Sequence, residues 1–271
     1  MRKAILVGFE YNSSKKLPGI TVDLYQVYQF LKRKGWKDHE ITVFTDIKKD
    51  SHTKILKKSI LEKNVDSGIL GFIADLKEKK QYFQFTSHNH FNNFESIFSP
   101  ITQNLFVYYT GHSKDGNIIL PNQALISFTS FTKILCKYNE IFCITDCCSG
   151  SISLPFVCHE KVYRFENEVF VKPKIISIAS SLETENSVTS ITGSFFTKNI
   201  LFILADVNLS VYQIVEKTNF TNHKNNHDNK QTVNISASYP TLSYIFPWFY
   251  SLKNMSVTFT PYFIEISSTD F

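Results

Sequence analysis

The chain has few arginines and no long apolar run, and each of these shortages excludes a class of protein. Only three of its 29 basic residues are arginines (Arg2, Arg33 and Arg164), so lysine carries most of the positive charge behind the net charge of +5. Nucleic-acid binding proteins commonly cluster arginines, because the guanidinium group can form two hydrogen bonds at once, and no such cluster occurs here. No segment reaches the ~18 apolar residues that a membrane-spanning helix needs. We therefore expect no nucleic-acid partner and no membrane partner.

Glycine, proline and cysteine are too few or too irregularly spaced for several other classes of protein. Nine glycines and eight prolines exclude a collagen-like chain, and a hydrophobic content of 43% excludes intrinsic disorder. The five cysteines are not arranged in two CxxC pairs, the arrangement that is typical of a zinc site. We therefore expect no metal site and no cofactor. The opening residues MRKAILVGFE lack the cleavage site of a signal peptide. We expect reduced thiols and a cytoplasmic protein.

Short apolar runs alternate with amphipathic stretches, which predicts strands separated by helices. The predicted strands are residues 4–8, 41–45, 105–110, 141–145 and 174–179, and the predicted helices are residues 22–34, 128–138, 194–205 and 210–217. Strands that are apolar on both sides favour a mostly parallel sheet covered by helices on both faces. We expect one α/β domain over residues 1–271, with an insertion at about 50–90 and a divergent C-terminal segment at about 220–271.

Two loops place a histidine and a pair of cysteines directly after consecutive predicted strands. His112 follows the third strand in YYTGHS, and Cys147 and Cys148 follow the fourth in TDCCSGS. Loops at the carboxyl ends of parallel strands line the crevice of an open sheet, and neighbouring strands lie about 4.8 Å apart. If the third and fourth strands are neighbours, a thiol faces an imidazole, as a cysteine nucleophile with a general base requires. A nucleotide-binding domain is a weaker alternative, because no glycine-rich phosphate loop follows the first strand.

These motifs resemble those of the metacaspases, their bacterial relatives and the caspases. The segment TGHS with DGNIILP is similar to their (Y/S)-S-G-H-G…DG…L-x-P motif, and TDCCSG is similar to D-x-C-x-S-G. Further upstream, LPGITVDLYQVYQFL resembles L-x-G-x-x-x-D-(V/L), and VFTD resembles the second strand of the family. The likeness runs from about residue 3 to 205, excluding roughly 50–90. It implies a caspase-haemoglobinase fold and a cysteine endopeptidase, that is, a thiol protease.

The resemblance also implies roles for single residues. In the family the nucleophile lies two residues after the aspartate, which selects Cys148 over Cys147. His112 would then be the general base, and the backbone N–H groups of Ser113 and Cys148 would form the oxyanion hole. Ser113 stands where the family has glycine, and we expect its side chain to add bulk near the scissile carbonyl. The alternative is therefore a catalytically weak or inactive caspase-like scaffold that acts as a binding or regulatory protein.

Two carboxylates predict the substrate preference. Asp23 and Asp146 match the pair with which metacaspases hold Arg or Lys, and no arginine of this chain matches the caspase pocket for Asp. A buried carboxylate pair without a basic neighbour is costly unless a cationic ligand completes it. We therefore expect protein or peptide substrates with Arg or Lys at the cleavage position, and a monomer rather than a dimer.

Two further expectations concern calcium and self-cleavage. The only acids in residues 113–140 are Asp115 and Glu140, too few for a calcium site, so we expect activity without calcium. Residues 158–174 correspond to the linker that caspase-like proteins cut on maturation, and their polar, charged composition predicts an exposed loop. Lys161 and Arg164 are the candidate self-cleavage sites in it.

Overall fold

The computed structural model describes residues 1–11, 16–47, 57–58, 60–62, 65–78, 82–84, 94–99, 101–148, 156–159, 162–165, 173–182, 185–187, 189–225, 231–238 and 245–250. Its strands are β1 (Arg2–Gly8), β2 (Ile41–Thr45), β3 (Tyr82–Gln84), β4 (Asn104–Thr110), β5 (Ser113–Lys114), β6 (Asn117–Ile119), β7 (Leu125–Ser127), β8 (Glu140–Asp146), β9 (Phe156–His159), β10 (Val162–Phe165), β11 (Lys174–Ala179), β12 (Thr189–Ser190), β13 (Gly193–Ser194) and β14 (Asn234–Ala237). Its helices are α1 (Ile20–Arg33), α2 (Gly68–Glu78), α3 (Phe128–Leu135), α4 (Phe195–Ile203) and α5 (Val211–Asn225), with short 3-10 turns at Asp38–Glu40 and Pro247–Tyr250.

The main sheet is mostly parallel, as the apolar strands predict. Its order is β10-β9-β14-β11-β8-β4-β1-β2-β3. The six strands from β11 to β3 are parallel, and β14, β9 and β10 add an antiparallel edge. All five predicted strands belong to the parallel part. The third and fourth of them, β4 and β8, are direct neighbours. The adjacency on which the predicted site depends is therefore confirmed.

Helices cover both faces of this sheet. Along β4, Phe106 and Tyr108 face the core formed with α1, α2, α4 and α5, whereas Val107 and Tyr109 face the core formed with α3 and residues 94–98. The alternation follows because successive residues of a strand point to opposite faces. Nearly every strand residue is buried on one side or the other, which explains why the apolar runs are continuous. The expected α/β architecture is confirmed.

Two regions contain strands that their composition does not suggest. Within the expected insertion, the amphipathic pattern at residues 69–79 suggests the helix α2, which packs against α1, but the short strand β3, which extends the sheet beside β2, was not expected. Within the segment expected to be a polar loop, β9 and β10 form an antiparallel hairpin. Aromatic and β-branched residues alternate with charges there, a pattern that suits an edge strand as well as a loop. The β-branched and aromatic residues of VTFTPYFIEI, at 257–266, also predict a late strand, and this segment lies outside the described residues.

Among the described residues, no helix is both long enough and apolar enough to cross a membrane.

Candidate active site

The histidine and cysteine loops leave the sheet side by side. Thr110 at the end of β4 pairs with Asp146 at the end of β8, and the N–H of Gly111 donates to the Asp146 carbonyl at 3.3 Å. His112 and Cys148 each lie two residues beyond that pair. The two side chains therefore leave equivalent positions at the carboxyl edge of adjacent parallel strands. This is the edge at which open α/β sheets bind ligands.

The two neighbouring cysteines differ in their access to solvent. Cys147 is 1% exposed, and its backbone N–H and C=O are held by the hydroxyls of Ser180 and Ser181 at 3.2 and 2.9 Å. Burial raises the pKa of the Cys147 thiol, which disfavours the reactive thiolate. Cys148 is only half-buried. Of the two thiols, Cys148 is the more accessible to solvent.

Ser113 connects the two loops. Its side chain is buried, and its hydroxyl donates a hydrogen bond to the carbonyl of Cys148. The sequence led us to expect that this side chain adds bulk at the scissile carbonyl. Ser113 begins the short strand β5, and its hydroxyl points to the cysteine loop. Ser113 thus ties the histidine loop to the cysteine loop.

Two tyrosine hydroxyls hydrogen-bond to the backbone of His112. Its N–H donates to Tyr11 Oη at 2.8 Å, and its C=O accepts from Tyr109 Oη at 2.6 Å. The rings of Tyr11 and His112 are also in contact, with centroids 4.5 Å apart. The sequence analysis did not single out either tyrosine. Tyr109 lies in an apolar strand and Tyr11 in a loop 101 residues before His112, so no local pattern connects them to the histidine.

The structure brings the two candidate specificity carboxylates into one buried region. Asp146 accepts hydroxyl hydrogen bonds from Ser187 on Oδ1 and from Thr197 on Oδ2, at 2.5 and 2.7 Å. Asp23, in the first turn of α1, accepts the N–H of Ser194 on Oδ1 at 2.8 Å. Within the described part of the chain, Asp23 Oδ2 is buried without a hydrogen-bond partner. One oxygen of the pair is therefore left to accept a donor.

Burial dominates the electrostatics of this pair. It raises the pKa of Asp23 well above its ordinary value, and the nearby charge of Asp146 raises it further. Burial also raises the pKa of Asp146, against the effect of its hydroxyl donors. Both carboxyls are thus poised to gain from a positive charge placed between them.

The sequence of the chain was then compared with known families. The model of the peptidase C13 family matches residues 20–168, more than half of the chain and both candidate loops. The chain belongs to the peptidase C13 family. This is a family of the caspase-like clan, and the expected caspase-like cysteine peptidase is confirmed. No curated protein matches the chain. The closer likeness to metacaspases stays a prediction.

One basic residue of this C13 family member corrects an assumption about the pocket. The carboxylate pair was expected to lack a basic neighbour, but the charge of Lys198 acts on Asp23 and favours its ionised form. The Lys198 ammonium donates to Thr192 Oγ1 at 3.1 Å, and its partial burial lowers its pKa. In the sequence of α4, FFTKNILFI, Lys198 is the single charged residue. That isolated charge is the feature by which the sequence could have indicated its role.

Gly193 is required beside Asp23. Its φ of +98° is a backbone conformation that residues with a Cβ rarely adopt, and a Cβ there would lie 2.5 Å from Asp23 Oδ1. The close approach lets the next residue, Ser194, present its N–H to the carboxylate.

The structure describes only one of the two candidate self-cleavage sites. Lys161 lies outside the described residues. Arg164 belongs to β10, where it is paired with Val157 of β9. A protease needs an extended, unpaired segment of backbone, so a cut after Arg164 requires this hairpin to open.

Proposed function

We propose that the chain is a cysteine endopeptidase in which Cys148 is the nucleophile and His112 the general base. We further propose that it cleaves after Arg or Lys, needs no calcium, and acts as a cytoplasmic monomer. The observation that carries the proposal is the register of β4 and β8, from which His112 and Cys148 project at equivalent positions. Membership of a cysteine peptidase family supports the reaction type. The half-buried state of Cys148 and the full burial of Cys147 support the choice of thiol.

The reaction follows from the roles of these groups. His112 accepts the thiol proton of Cys148, and the sulfur attacks the scissile carbonyl carbon. The negative charge that develops on the carbonyl oxygen is stabilised by the backbone N–H groups of Ser113 and Cys148. His112 then protonates the leaving amine, which departs and leaves a thioester on Cys148. Water, deprotonated by His112, hydrolyses the thioester and restores the free enzyme.

The Arg or Lys preference is argued from the unpaired oxygen of Asp23. A guanidinium or ammonium group would supply Asp23 Oδ2 with a donor and the carboxylate pair with a positive charge. An acidic substrate side chain would bring a third carboxyl group into the same buried region, where burial and the neighbouring carboxyl groups disfavour its ionised form. Lys198 supplies part of the compensating charge in the absence of substrate, so the substrate competes with a resident cation.

Calcium independence is argued from the positions of the two acids between the catalytic loops. Asp115 is exposed in the turn after His112, beside the ammonium of Lys114 at 3.8 Å. Glu140 begins β8, at the opposite end of that strand from Cys148. The two carboxylates do not converge, and calcium requires six to eight oxygen ligands at one point.

Peptide cleavage tests the proposal. Fluorogenic peptides with Arg, Lys or Asp at the cleavage position are incubated with the native chain, Cys148→Ala and the matched control Cys147→Ala, each with and without EDTA. We expect Arg and Lys peptides to be cut by the native chain and by Cys147→Ala, and EDTA to have no effect. Full activity in Cys148→Ala would refute the choice of nucleophile, and preference for Asp would refute the pocket. A native chain that cuts nothing would favour the non-catalytic scaffold.

A further inference from the structure

We propose that Tyr11 is a positioning residue for the histidine of the active site, an inference that rests on the proposed role of His112. Its hydroxyl and ring fix the backbone and the imidazole of His112 together. Tyr109 holds the carbonyl of the same residue, in the next peptide unit. We call the two residues the tyrosine clamp.

The clamp holds both backbone polar groups of His112, which belong to the two successive peptide units that flank its Cα. The His112 N–H donates to Tyr11 Oη at 2.8 Å, and Tyr109 Oη donates to the His112 C=O at 2.6 Å. Tyr11 Oη in turn donates to the carbonyl of Ile119 at 2.7 Å, across the β5–β6 turn. The Ile119 N–H also donates to the His112 carbonyl, at 3.0 Å. A single hydroxyl thus joins the histidine to the hairpin that follows it.

The space below the histidine loop is filled by these two hydroxyls. A Cβ at Gly111 would lie 2.8 Å from Tyr11 Oη and 3.0 Å from Tyr109 Oη. The tyrosines therefore lie directly against the Gly111–His112 peptide. The ring of Tyr11 additionally contacts the imidazole at 4.5 Å between centroids, inclined by 43°. Because the ring and the peptide are held by one residue, the imidazole has little freedom to tilt away from the cysteine loop.

The backbone of Tyr11 is held in place by a carboxylate from the neighbouring strand. Tyr11 has a φ of +56°, a conformation unfavourable for a residue with a Cβ. Asp46, directly after β2, accepts the N–H of Glu10 at 2.7 Å and that of Tyr11 at 3.0 Å. Backbone outliers of this kind persist only where surrounding contacts hold them, and they concentrate at functional sites. Asp46 therefore holds the backbone of Tyr11, just after the carboxyl end of β1, in the conformation that places the Tyr11 ring against His112.

The hydroxyls of Tyr11 and Tyr109 should contribute unequally to the positioning of His112. Removing the Tyr11 hydroxyl removes two hydrogen bonds, one from the His112 N–H and one to the Ile119 carbonyl. Without the Tyr109 hydroxyl, the His112 carbonyl still accepts from Ile119. A small displacement of a general base lowers the rate of the chemical step more than it affects substrate binding. Tyr11→Phe should therefore lower kcat about tenfold or more at unchanged KM, and Tyr109→Phe should lower it less.

The experiment compares Tyr11→Phe and Tyr109→Phe with Tyr138→Phe. Tyr138 is a matched control, because it is 2% exposed and its hydroxyl donates to the carbonyl of Phe98, away from the catalytic loops. For each variant we measure the melting temperature, kcat and KM on an Arg peptide, and the imidazole NMR signals of the histidines. We expect the largest loss of kcat and a displaced His112 signal in Tyr11→Phe. Tyr138→Phe should lose stability and keep kcat.

The outcomes separate this inference from the proposed function. If His112→Ala is inactive while Tyr11→Phe keeps kcat within twofold of native, the clamp is refuted and the peptidase assignment stands. If the native chain cleaves no peptide, the assignment fails, and an unshifted His112 signal in Tyr11→Phe would refute the clamp as well. Should Tyr11→Phe not fold, hydrogen exchange of the native chain decides. A protected His112 amide supports the clamp, and an amide that exchanges as fast as in an open loop overturns it.

Discussion

Glu10 makes the folded state sensitive to pH in a predictable direction. Its side chain is 3% exposed and accepts a hydrogen bond from the hydroxyl of Thr21. Burial raises the pKa of Glu10 from 4.5 to about 7, and the nearby charge of Asp46 contributes in the same direction, against the Thr21 hydroxyl and the charge of Lys16. The protonated form is therefore favoured in the folded chain well above the pH at which it ionises in the unfolded chain.

The sign and the size of the effect follow from this pKa. Because Glu10 binds its proton more tightly in the folded state, its contribution to stability is fully present below pH 4.5 and is lost as the pH rises to about 7. Each tenfold change in proton affinity corresponds to about 1.4 kcal/mol, so a rise from 4.5 to about 7 amounts to about 3 kcal/mol. Glu10→Gln keeps the acceptor for Thr21 and removes the ionisation. The variant should be more stable than native by up to about 3 kcal/mol at pH 8, with little difference at pH 4.5.

Urea unfolding at a series of pH values measures this difference. The free energies of unfolding of the native chain and Glu10→Gln should diverge progressively between pH 4.5 and 7 and run parallel above it. Since Asp46 is present in both chains, its own titration largely cancels in the difference. A difference that is constant across this range would refute the argument. So would a variant that is less stable than the native chain at pH 8.

Three further predictions concern the site. Lys198→Met removes the cation that competes with substrate and should lower KM for Arg peptides about three- to tenfold, roughly 1 kcal/mol; a higher KM would show that Lys198 aids binding instead. Ser113→Gly introduces the glycine of the metacaspase motif but removes the hydrogen bond between the two loops, and should lower the free energy of unfolding in urea by about 1 kcal/mol without raising kcat. A raised kcat would support the expectation of steric bulk. Intact-mass analysis should find fragments split after Lys161 or Arg164 in the native protein and none in Cys148→Ala. A native chain that stays at 31.3 kDa while it turns over Arg peptides would rule out self-cleavage.

The parallel core was predictable because burial on both faces leaves a direct trace in the sequence. Each central strand is a continuous apolar run, so β1, β2, β4, β8 and β11 are read from composition alone. The strands outside this group of five leave no such trace. β3 has only three residues, and β14 (NISA) buries Asn234 and Ser236, so neither resembles an apolar run.

The residues of the candidate site also differ in how far the sequence predicts them. His112 and Cys148 directly follow apolar strands, so strand order alone brings them to one edge of the sheet. Tyr11 and Lys198 act through contacts between distant elements, at the end of β1 and on α4, which depend on how those elements pack. The unpaired oxygen of Asp23 is likewise a property of packing. Sequence patterns locate the two proposed reacting groups, but the residues proposed to orient them and to balance their charge are found only in the folded structure.

Covalent labelling tests the central claim most directly. The native chain is treated with a peptidyl-arginine acyloxymethyl ketone, which alkylates an active cysteine, and the adduct is located by fragmentation of the peptide that contains Cys147 and Cys148. The account predicts one adduct, on Cys148, formed far more slowly in His112→Ala. An adduct on Cys147, or labelling of Cys148 at the same rate with and without His112, would contradict it.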